Sequence, residues 1–157
     1  MSHVLKRANR PILTLRNLRM LSSMLLREIM STKLITLHPK DKMSRVKEVF
    51  DDFAIHHIPI VVNGELVGII SKTDFDIMRH VAKNSYDKFV QDKMLRSETV
   101  DLYMNREIYA MTAENTIGEA VEVFLENRIR CLPIVEGYEI IGMVTPYDIL
   151  KFINKLK

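Results

Sequence analysis

The sequence predicts a mixed α/β fold built from two β-α-β-β-α repeats. Three observations point to it. The chain aligns with itself without a gap at a shift of 74 residues, each copy combines short apolar runs with a stretch of helical periodicity, and each copy has a turn signal between two apolar runs. A unit of about fifty residues buries too little surface to be comfortable alone. We therefore expect the copies to pack sheet against sheet and to share a core.

The internal repeat is carried by eleven identical pairs between residues 30–74 and 104–148. Ordinary residue usage would give roughly three identities by chance in such a window. The identical pairs are Met30/Met104, Glu48/Glu122, Val49/Val123, Phe50/Phe124, Ile55/Ile129, Pro59/Pro133, Ile60/Ile134, Val61/Val135, Glu65/Glu139, Gly68/Gly142 and Asp74/Asp148. The repeat is therefore real.

Each copy is predicted to begin with a strand and an amphipathic helix. In the first copy the strand covers 34–37, and Asp41 is the expected N-cap, because its carboxylate can accept from the free N–H groups of a first helical turn. The apolar face of the helix consists of Met43, Val46, Val49, Phe50 and Phe53. The equivalents in the second copy are a strand at 108–111, Asn115 as cap and a helix at 117–124.

Each copy then continues with a hairpin and a second helix. Asn63-Gly64 separates the apolar runs 58–62 and 66–70 and favours a tight turn, since both residues tolerate positive φ. The last helix is expected to start near Thr73 or Asp74. The second copy has predicted strands at 132–135 and 140–144 around Gly137-Tyr138.

Two further segments complete the predicted domain organisation. Residues 1–28 contain six basic residues against one acidic residue, a local charge of +5 in a chain of net charge +3. Leu18, Leu21, Leu25 and Ile29 recur in it at helical spacing, which favours a solvated or docking helix, with targeting or anion binding as alternatives. The segment before the second copy has mixed charge without Gly or Pro and predicts a rigid connecting helix. The predicted domains are 1–24 (basic helical extension), 25–80 (repeat 1), 81–99 (connecting helix) and 100–157 (repeat 2).

Composition favours a soluble, cytoplasmic protein. Apolar residues make up 47% of the chain, enough for a core without metal or disulfides. Cys131 is the single cysteine, so an intramolecular disulfide is excluded and a reducing compartment fits best. The sequence has no run of eighteen apolar residues, and we expect no membrane span.

The two copies resemble the cystathionine-β-synthase (CBS) domain. The stretches HHIPIVVNGELVGIISKTDF and RCLPIVEGYEIIGMVTPYDI each contain an apolar residue followed by Pro-Ile-Val, then Gly, then Ser or Thr three residues before Asp. The resemblance covers about residues 25 to 153. It implies two repeats packed about a pseudo-twofold axis, and two equivalent clefts in which adenosine nucleotides or S-adenosylmethionine commonly bind. It also implies dimerisation into a flat disc.

The resemblance implies a ribose site at Asp74 and another at Asp148. In the family this aspartate accepts hydrogen bonds from both ribose hydroxyls, and charge-assisted bonds are roughly twice as strong as neutral ones. The hydroxyls of Ser71 and Thr145 are expected to orient sugar or phosphate. The alternative is capping, because an aspartate in the first turn of a helix is stabilised by the helix dipole without any ligand.

The first cleft is favoured over the second. The first copy has the fuller pattern, Ser-Lys-Thr-Asp with Thr73, whereas the second has Tyr147 where many members of the family have a small hydroxyl. The resemblance also implies that adenine is sandwiched between apolar side chains and bonded to backbone. The matching positions are Thr36, Ile58 and Pro59 in the first copy and Ala110, Leu132 and Pro133 in the second.

The sequence contains no glycine-rich phosphate loop, so phosphate would need cations. His56 and His57 precede one apolar-Pro strand and cannot both face the cleft, because adjacent strand residues point to opposite faces. We assign His57 to the nucleotide site and predict no metal site. Arg128 and Arg130 precede the other strand, and their planar guanidinium groups suit phosphate, with ligand-free surface arginines as the alternative.

The function expected from these residues is a non-catalytic regulatory sensor. It would bind an adenosine-type nucleotide (AMP, ADP or ATP, or NAD or S-adenosylmethionine) between the repeats and signal to an effector that is not fused to it. No arrangement typical of a catalytic site is found, so we expect no enzyme activity and no catalytic cofactor. We expect a homodimer. The alternative function is a structural dimerisation scaffold whose basic N-terminal segment binds nucleic acid or another anionic surface.

Overall fold

The computed structural model describes Met20, residues 22–83 and residues 88–155 of the chain. Helices and strands follow the predicted order of a mixed α/β fold. The helices are α1 (Met43–Asp52), α2 (Lys72–Lys83), α3 (Lys88–Ser97), α4 (Ile117–Asn127) and α5 (Pro146–Lys155), and the strands are β1 (His57–Val62), β2 (Glu65–Ser71), β3 (Leu132–Glu136) and β4 (Glu139–Val144). Short 3₁₀ turns lie at Leu26–Glu28 and Val100–Leu102.

The hairpins form as predicted. Asn63 and Gly64 have φ of 53° and 90°, the two positive values that a type I′ turn requires. In the second hairpin Gly137 has φ of 62°. The first hairpin pairs β1 with β2 and the second pairs β3 with β4, both antiparallel.

The two hairpins join edge to edge rather than face to face. They form one four-stranded sheet in the order β1-β2-β4-β3, and β2 meets β4 at Glu65 and Glu139. These two residues are repeat equivalents, so the pseudo-twofold axis passes between them, which confirms the predicted symmetry. The expected sheet-against-sheet packing and shared core are wrong, because each repeat has its own cluster of buried side chains.

The repeats are interlocked by exchanged entry segments. Leu26 lies at the start of repeat 1 but is fully buried in the core of repeat 2, and its N–H donates to the carbonyl of Asn115 at 2.8 Å. Val100, its equivalent, lies at the start of repeat 2 but is fully buried in the core of repeat 1, and its N–H donates to the carbonyl of Asp41 at 2.9 Å. Each core is therefore completed by the segment that leads into the other repeat.

Glycines allow the exchanged segments to lie against the sheet. A Cβ on Gly68 of β2 would lie 2.5 Å from Sδ of Met104, and a Cβ on Gly142 of β4 would lie 2.7 Å from Sδ of Met30. These four residues are two of the identical pairs of the repeat. Their identity therefore has a packing cause, since only glycine leaves room for the methionine side chain.

Two details of each repeat differ from the prediction. Residues 34–37 and 108–111 are not named strands, because each makes only an isolated parallel bridge, Leu37 to Ile60 and Met111 to Ile134. The predicted caps Asp41 and Asn115 are also wrong, since each helix begins two residues later. Lys42 and Thr116 are the N-caps.

Asp41 and Asn115 stabilise the turns that precede the helices instead. Oδ2 of Asp41 accepts from the N–H of His38 at 2.7 Å, and Oδ1 of Asn115 accepts from the N–H of Thr112 at 2.9 Å. Short polar side chains compete for nearby backbone groups in this way. Phe53, predicted on the buried face of α1, is 48% exposed just after its end.

The connecting segment contains a helix that folds back. Within the predicted range 81–99 the structure places α3, which packs against both α1 and α2. α3 is therefore a separate helix and not an extension of α2. The predicted N-terminal helical extension covers residues 1–24, of which 1–19 and Leu21 lie outside the described residues, and its role stays a prediction. In the described part of the chain, none of the helices has the length and apolar character needed to span a bilayer.

Candidate functional site

Asp74 lies in the first turn of α2, directly after β2. Its Oδ2 accepts from the N–H of Ser71 at 3.2 Å and from Oγ of Ser71 at 2.5 Å, while its own N–H donates to Oγ of Ser71 at 3.1 Å. This reciprocal pattern is a capping box. Among the described residues no hydrogen bond to Oδ1 of Asp74 is found, so only one carboxylate oxygen takes part in the cap.

The second repeat has the same arrangement at Thr145 and Asp148. Oδ2 of Asp148 accepts from the N–H of Thr145 at 2.9 Å and from its hydroxyl at 2.6 Å, and the return bond from the N–H of Asp148 is 3.3 Å long. Asp148 is half-buried, whereas Asp74 is exposed. The first carboxylate is therefore the more accessible one.

Capping boxes alone do not identify a binding site in this molecule. Thr116 and Glu119 at the start of α4 make the same reciprocal bonds, with the N–H of Thr116 donating to Oε2 of Glu119 at 2.6 Å and the N–H of Glu119 donating to Oγ1 of Thr116 at 3.2 Å. The sequence resemblance assigns no ligand role to that pair. A second observation is needed to separate Asp74 from an ordinary cap.

That observation is a cleft of about 510 Å³ beside Asp74. Its lining comes from α2, from α3 and from the segment that leads into repeat 2. The lining residues are Asp74, Ile77, Met78, Met94, Tyr103, Met104 and Asn105. Asp74 and residues of both repeats therefore face one space large enough for a small ligand.

Sequence reasoning missed most of this lining. Ile77 and Met78 follow Asp74 by three and four residues, so helical periodicity alone places them on the same face. Met104 was visible as an identical pair with Met30. Met94 and Tyr103 could not be found from the sequence, because their position depends on how α3 folds back.

The predicted adenine-binding side chains divide into buried and exposed sets. Ile58 and Leu132 are fully buried, and Pro59 and Pro133 are buried as well. The carbonyls of the two prolines accept from the N–H groups of Leu37 at 3.1 Å and Met111 at 3.0 Å. Thr36 and Ala110 are exposed, as is Thr73 at the start of α2. The structure explains these prolines and apolar residues by packing, and their role in binding stays a prediction.

His57 connects the two repeats electrostatically. It is half-buried at the start of β1, opposite Ser71 in the sheet. Burial lowers the pKa of His57, as do the charges of His56 and of Arg130 from repeat 2, while Asp74 opposes them. The charges of Asp74 and of Arg130, a predicted phosphate-binding residue, therefore act on the pKa of His57 in opposite directions.

The equivalent position in repeat 2 is Cys131, which cannot supply a cation. Burial, with a smaller effect of Asp148, raises the pKa of this buried thiol to about 12. Arg128 and Arg130 are both exposed, and Arg128 ends α4 with a φ of 54°. Among the described side chains, no group of three or more His, Cys, Asp or Glu could hold a metal ion.

Comparison with protein families identifies the fold. The model of the CBS domain matches residues 26–79 and 99–155, one match for each repeat. The chain belongs to the CBS domain family. The two matches coincide with the repeats, so this is a tandem CBS pair.

Curated relatives are longer proteins that contain a similar segment. An uncharacterised protein of Methanocaldococcus jannaschii is 29% identical over 136 residues, covering 83% of this chain and 32% of its own length. The A-adding tRNA nucleotidyltransferase of Aquifex aeolicus is 27% identical, covering 82% of this chain and 14% of its own length. Inosine-5′-monophosphate dehydrogenase of Methanocaldococcus jannaschii is 29% identical, with coverages of 79% and 22%. The chain thus spans about a third or less of these relatives.

Two of the solved structures similar to this chain are nearly equal to it in length. The CBS pair of protein MJ0100, solved in complex with 5′-methylthioadenosine and S-adenosyl-L-methionine, is 25% identical with a TM-score of 0.66, covering 82% of this chain and 98% of that chain. CBSX2, solved in complex with AMP, is 18% identical with a TM-score of 0.70, covering 85% and 98%.

Proposed function

We propose that this chain is a regulatory module that binds an adenosine-type nucleotide between its CBS repeats and transmits the change to a partner. The observation that carries the proposal is the 510 Å³ cleft with Asp74 at its edge. The capping box leaves Oδ1 of Asp74 available to accept from ribose hydroxyls. The adenosine compounds bound by similar CBS pairs support this ligand class.

The position of the cleft suits a sensor. One wall is α2 of repeat 1, and another is residues 103–105, which lead into repeat 2. A ligand held between these walls would favour the arrangement of the repeats that it binds better. The energy available for signalling is then the difference in affinity between the arrangements, and no catalytic step is required.

The module is also proposed to act as a homodimer. Tyr147 and Leu150 on α5 are 70% and 63% exposed, and burying large apolar side chains of this kind favours association. Native mass spectrometry would give the oligomeric state together with any nucleotide that copurifies. The effector and a cytoplasmic location belong to the same proposal.

Calorimetry on matched variants tests the ligand and the site together. The wild-type chain would be titrated with AMP, ADP, ATP, NAD and S-adenosylmethionine, and then compared with Asp74→Asn, Asp148→Asn and Glu119→Gln. We expect Asp74→Asn to weaken binding roughly tenfold to a hundredfold, because a charge-assisted hydrogen bond is lost. Asparagine can still cap the helix.

Glu119→Gln is the control, because it alters a capping box of the same geometry away from the cleft. It should leave affinity unchanged. Equal affinity of the wild type and Asp74→Asn would show that Asp74 is only a cap. The absence of heat with every compound, together with unaltered melting, would contradict the proposed function.

A further inference from the structure

We propose that a second copy of this chain docks on one face of α4 and α5, so that repeat 2 of one copy meets repeat 2 of the other. The inference rests on the homodimer of the proposed function. It goes further because it assigns the contact surface and the relative orientation of the two copies. A difference between the repeats on equivalent helical faces carries it.

In repeat 1 this helical face is a network of charges. Lys47 forms a salt bridge with Asp51 on α1, and Arg79 forms one with Asp76 on α2 at 3.9 Å. Lys47 lowers the pKa of Asp51 through its hydrogen bond, and Arg79 and Lys72 add smaller effects of the same sign from α2. The charges of the two helices therefore interact with one another and share one surface.

Repeat 2 has apolar residues at all the equivalent positions. At the shift of 74 residues Lys47, Asp51, Lys72, Thr73, Asp76 and Arg79 correspond to Val121, Leu125, Pro146, Tyr147, Leu150 and Ile153. We call these six residues of repeat 2 the apolar helical face. Leu125, Tyr147 and Leu150 are 73%, 70% and 63% exposed, and Val121 and Ile153 join them to the core of repeat 2.

Repeat 1 of a second copy is an unfavourable partner for the apolar helical face. Its ion pairs would lose their hydration against leucine and tyrosine side chains, and no new polar partner would replace the water. Two apolar helical faces would instead remove each other's exposed apolar side chains from water. Pairs of helices pack together in this way in four-helix bundles. The orientation that follows is repeat 2 against repeat 2 about a twofold axis.

The charges at the edges of the apolar helical face are complementary to those of a second copy. Glu122 and Glu126 are exposed on α4, each one residue after an apolar residue of the face. Lys151 and Lys155 are exposed on α5, four residues apart and therefore on one side of the helix. A twofold axis that runs along the groove between the helices places α4 of one copy against α5 of the other. The acidic edge then meets the basic edge twice, which favours a second copy over a partner of different sequence.

Sedimentation equilibrium of the full chain tests the assigned surface. Leu150→Asp introduces the residue that repeat 1 has at this position, and Leu150 is exposed, so the chain should still fold. We expect the dissociation constant of the dimer to rise at least about a hundredfold, because the twofold interface would contain two carboxylates in place of two leucines. Asp76→Asn is the control in repeat 1 and should change the constant less than about threefold. Circular dichroism would verify that both variants are folded.

Disulfide cross-linking tests the orientation. Under mild oxidation Leu150→Cys should give a covalent homodimer, because a twofold contact between equal faces brings this residue close to its own copy. Asp76→Cys, the equivalent change in repeat 1, should give none. The wild type is the background control, because Cys131 is buried. A mixed disulfide that forms only when Leu150→Cys and Asp76→Cys are combined would show repeat 2 against repeat 1 and overturn the orientation.

The outcomes separate this inference from the proposed function. A wild-type dimer whose dissociation constant is unchanged in Leu150→Asp would overturn the assigned surface and leave the homodimer standing. A wild type that stays monomeric at every concentration would remove the homodimer and this inference with it. Nucleotide binding beside Asp74 would stand in either case, because calorimetry tests it independently.

Discussion

The two CBS repeats share the residues that pack the fold together and differ at positions beside their Ser/Thr-x-x-Asp motifs. Gly68 and Gly142 each lie under an exchanged methionine, and Glu65 and Glu139 meet at the pseudo-twofold axis. By contrast, Ile77 corresponds to Lys151. Identity at these glycine and glutamate positions therefore reflects packing and symmetry, whereas Ile77 and Lys151 distinguish the two repeats.

A substitution that weakens the interlock between the repeats is expected to have the largest effect on stability. Leu26→Ala should lower the free energy of unfolding by about 2–5 kcal/mol, because it leaves a cavity in a core. Hydrogen exchange should accelerate first in β3 and β4, since Leu26 is buried in repeat 2. Urea denaturation and exchange measurements would check both expectations.

Met20→Ala is the control for Leu26→Ala, because Met20 is 50% exposed in the same entry segment. It should change stability by less than about 0.5 kcal/mol. Faster exchange confined to β1 and β2 in Leu26→Ala would contradict the exchanged arrangement of the entry segments.

The glycine contacts should give a smaller and nearly symmetric effect. Gly68→Ala forces Met104 to move and should cost about 1–3 kcal/mol, and Gly142→Ala should cost a similar amount through Met30. Adding Met104→Ala to Gly68→Ala should give less destabilisation than the sum of the single changes. Strictly additive unfolding energies in this double-mutant cycle would show that the two residues do not compete for space.

The N-caps of α4 and α1 are expected to differ by about 1 kcal/mol in what they contribute to stability. Thr116 caps α4 through its side chain, whereas Lys42 offers no side-chain hydrogen bond to α1. Thr116→Ala should therefore cost about 1 kcal/mol, and Lys42→Thr should stabilise the chain by a smaller amount. Thermal denaturation of the two variants would measure both changes. Equal losses of stability in Thr116→Ala and Lys42→Thr would contradict the expected difference between the caps.

The smallest expected effect is the contribution of His57 to the pH dependence of the free energy of unfolding. The folded state lowers the pKa of His57 below its ordinary value of 6.5, so the unfolded chain binds the proton more readily. Proton uptake by the unfolded chain therefore lowers the free energy of unfolding as the pH falls below 6.5. Above that pH, His57 is neutral in both states and its contribution is constant. His57→Gln should flatten the loss of stability between pH 7.5 and 5.5, because it removes that proton. An unchanged slope in His57→Gln would contradict this expectation.

Much of the fold could be predicted because residues close together in the sequence determine its turns and its helices. The Asn63-Gly64 turn, the helical faces and the repeat all come from short-range patterns. The caps were misplaced because Asp41 and Asn115 bond backward to His38 and Thr112 instead of forward into the helices. The exchange of Leu26 and Val100 could not be predicted, since the sequence does not show which core an entry segment joins.

The sequence predicted the carboxylates of the candidate site but not most of its lining. Asp74 and Asp148 are recognisable from the repeated Ser/Thr-x-x-Asp pattern, but the same geometry at Thr116 and Glu119 shows that the pattern also serves as a cap. The cleft depends on the return of α3 against α2, which brings Met94 towards Met78. Such long-range packing leaves no periodic trace in the sequence.

The most direct test follows the methionine methyl groups by NMR during titration with adenosine. The chain has ten methionines, of which Met78, Met94 and Met104 line the cleft. Saturable shifts of these three methyl resonances in the wild type, and their loss in Asp74→Asn, are predicted. Unchanged resonances, or shifts confined to methionines away from the cleft, would contradict the claim that the CBS pair binds an adenosine ligand beside Asp74.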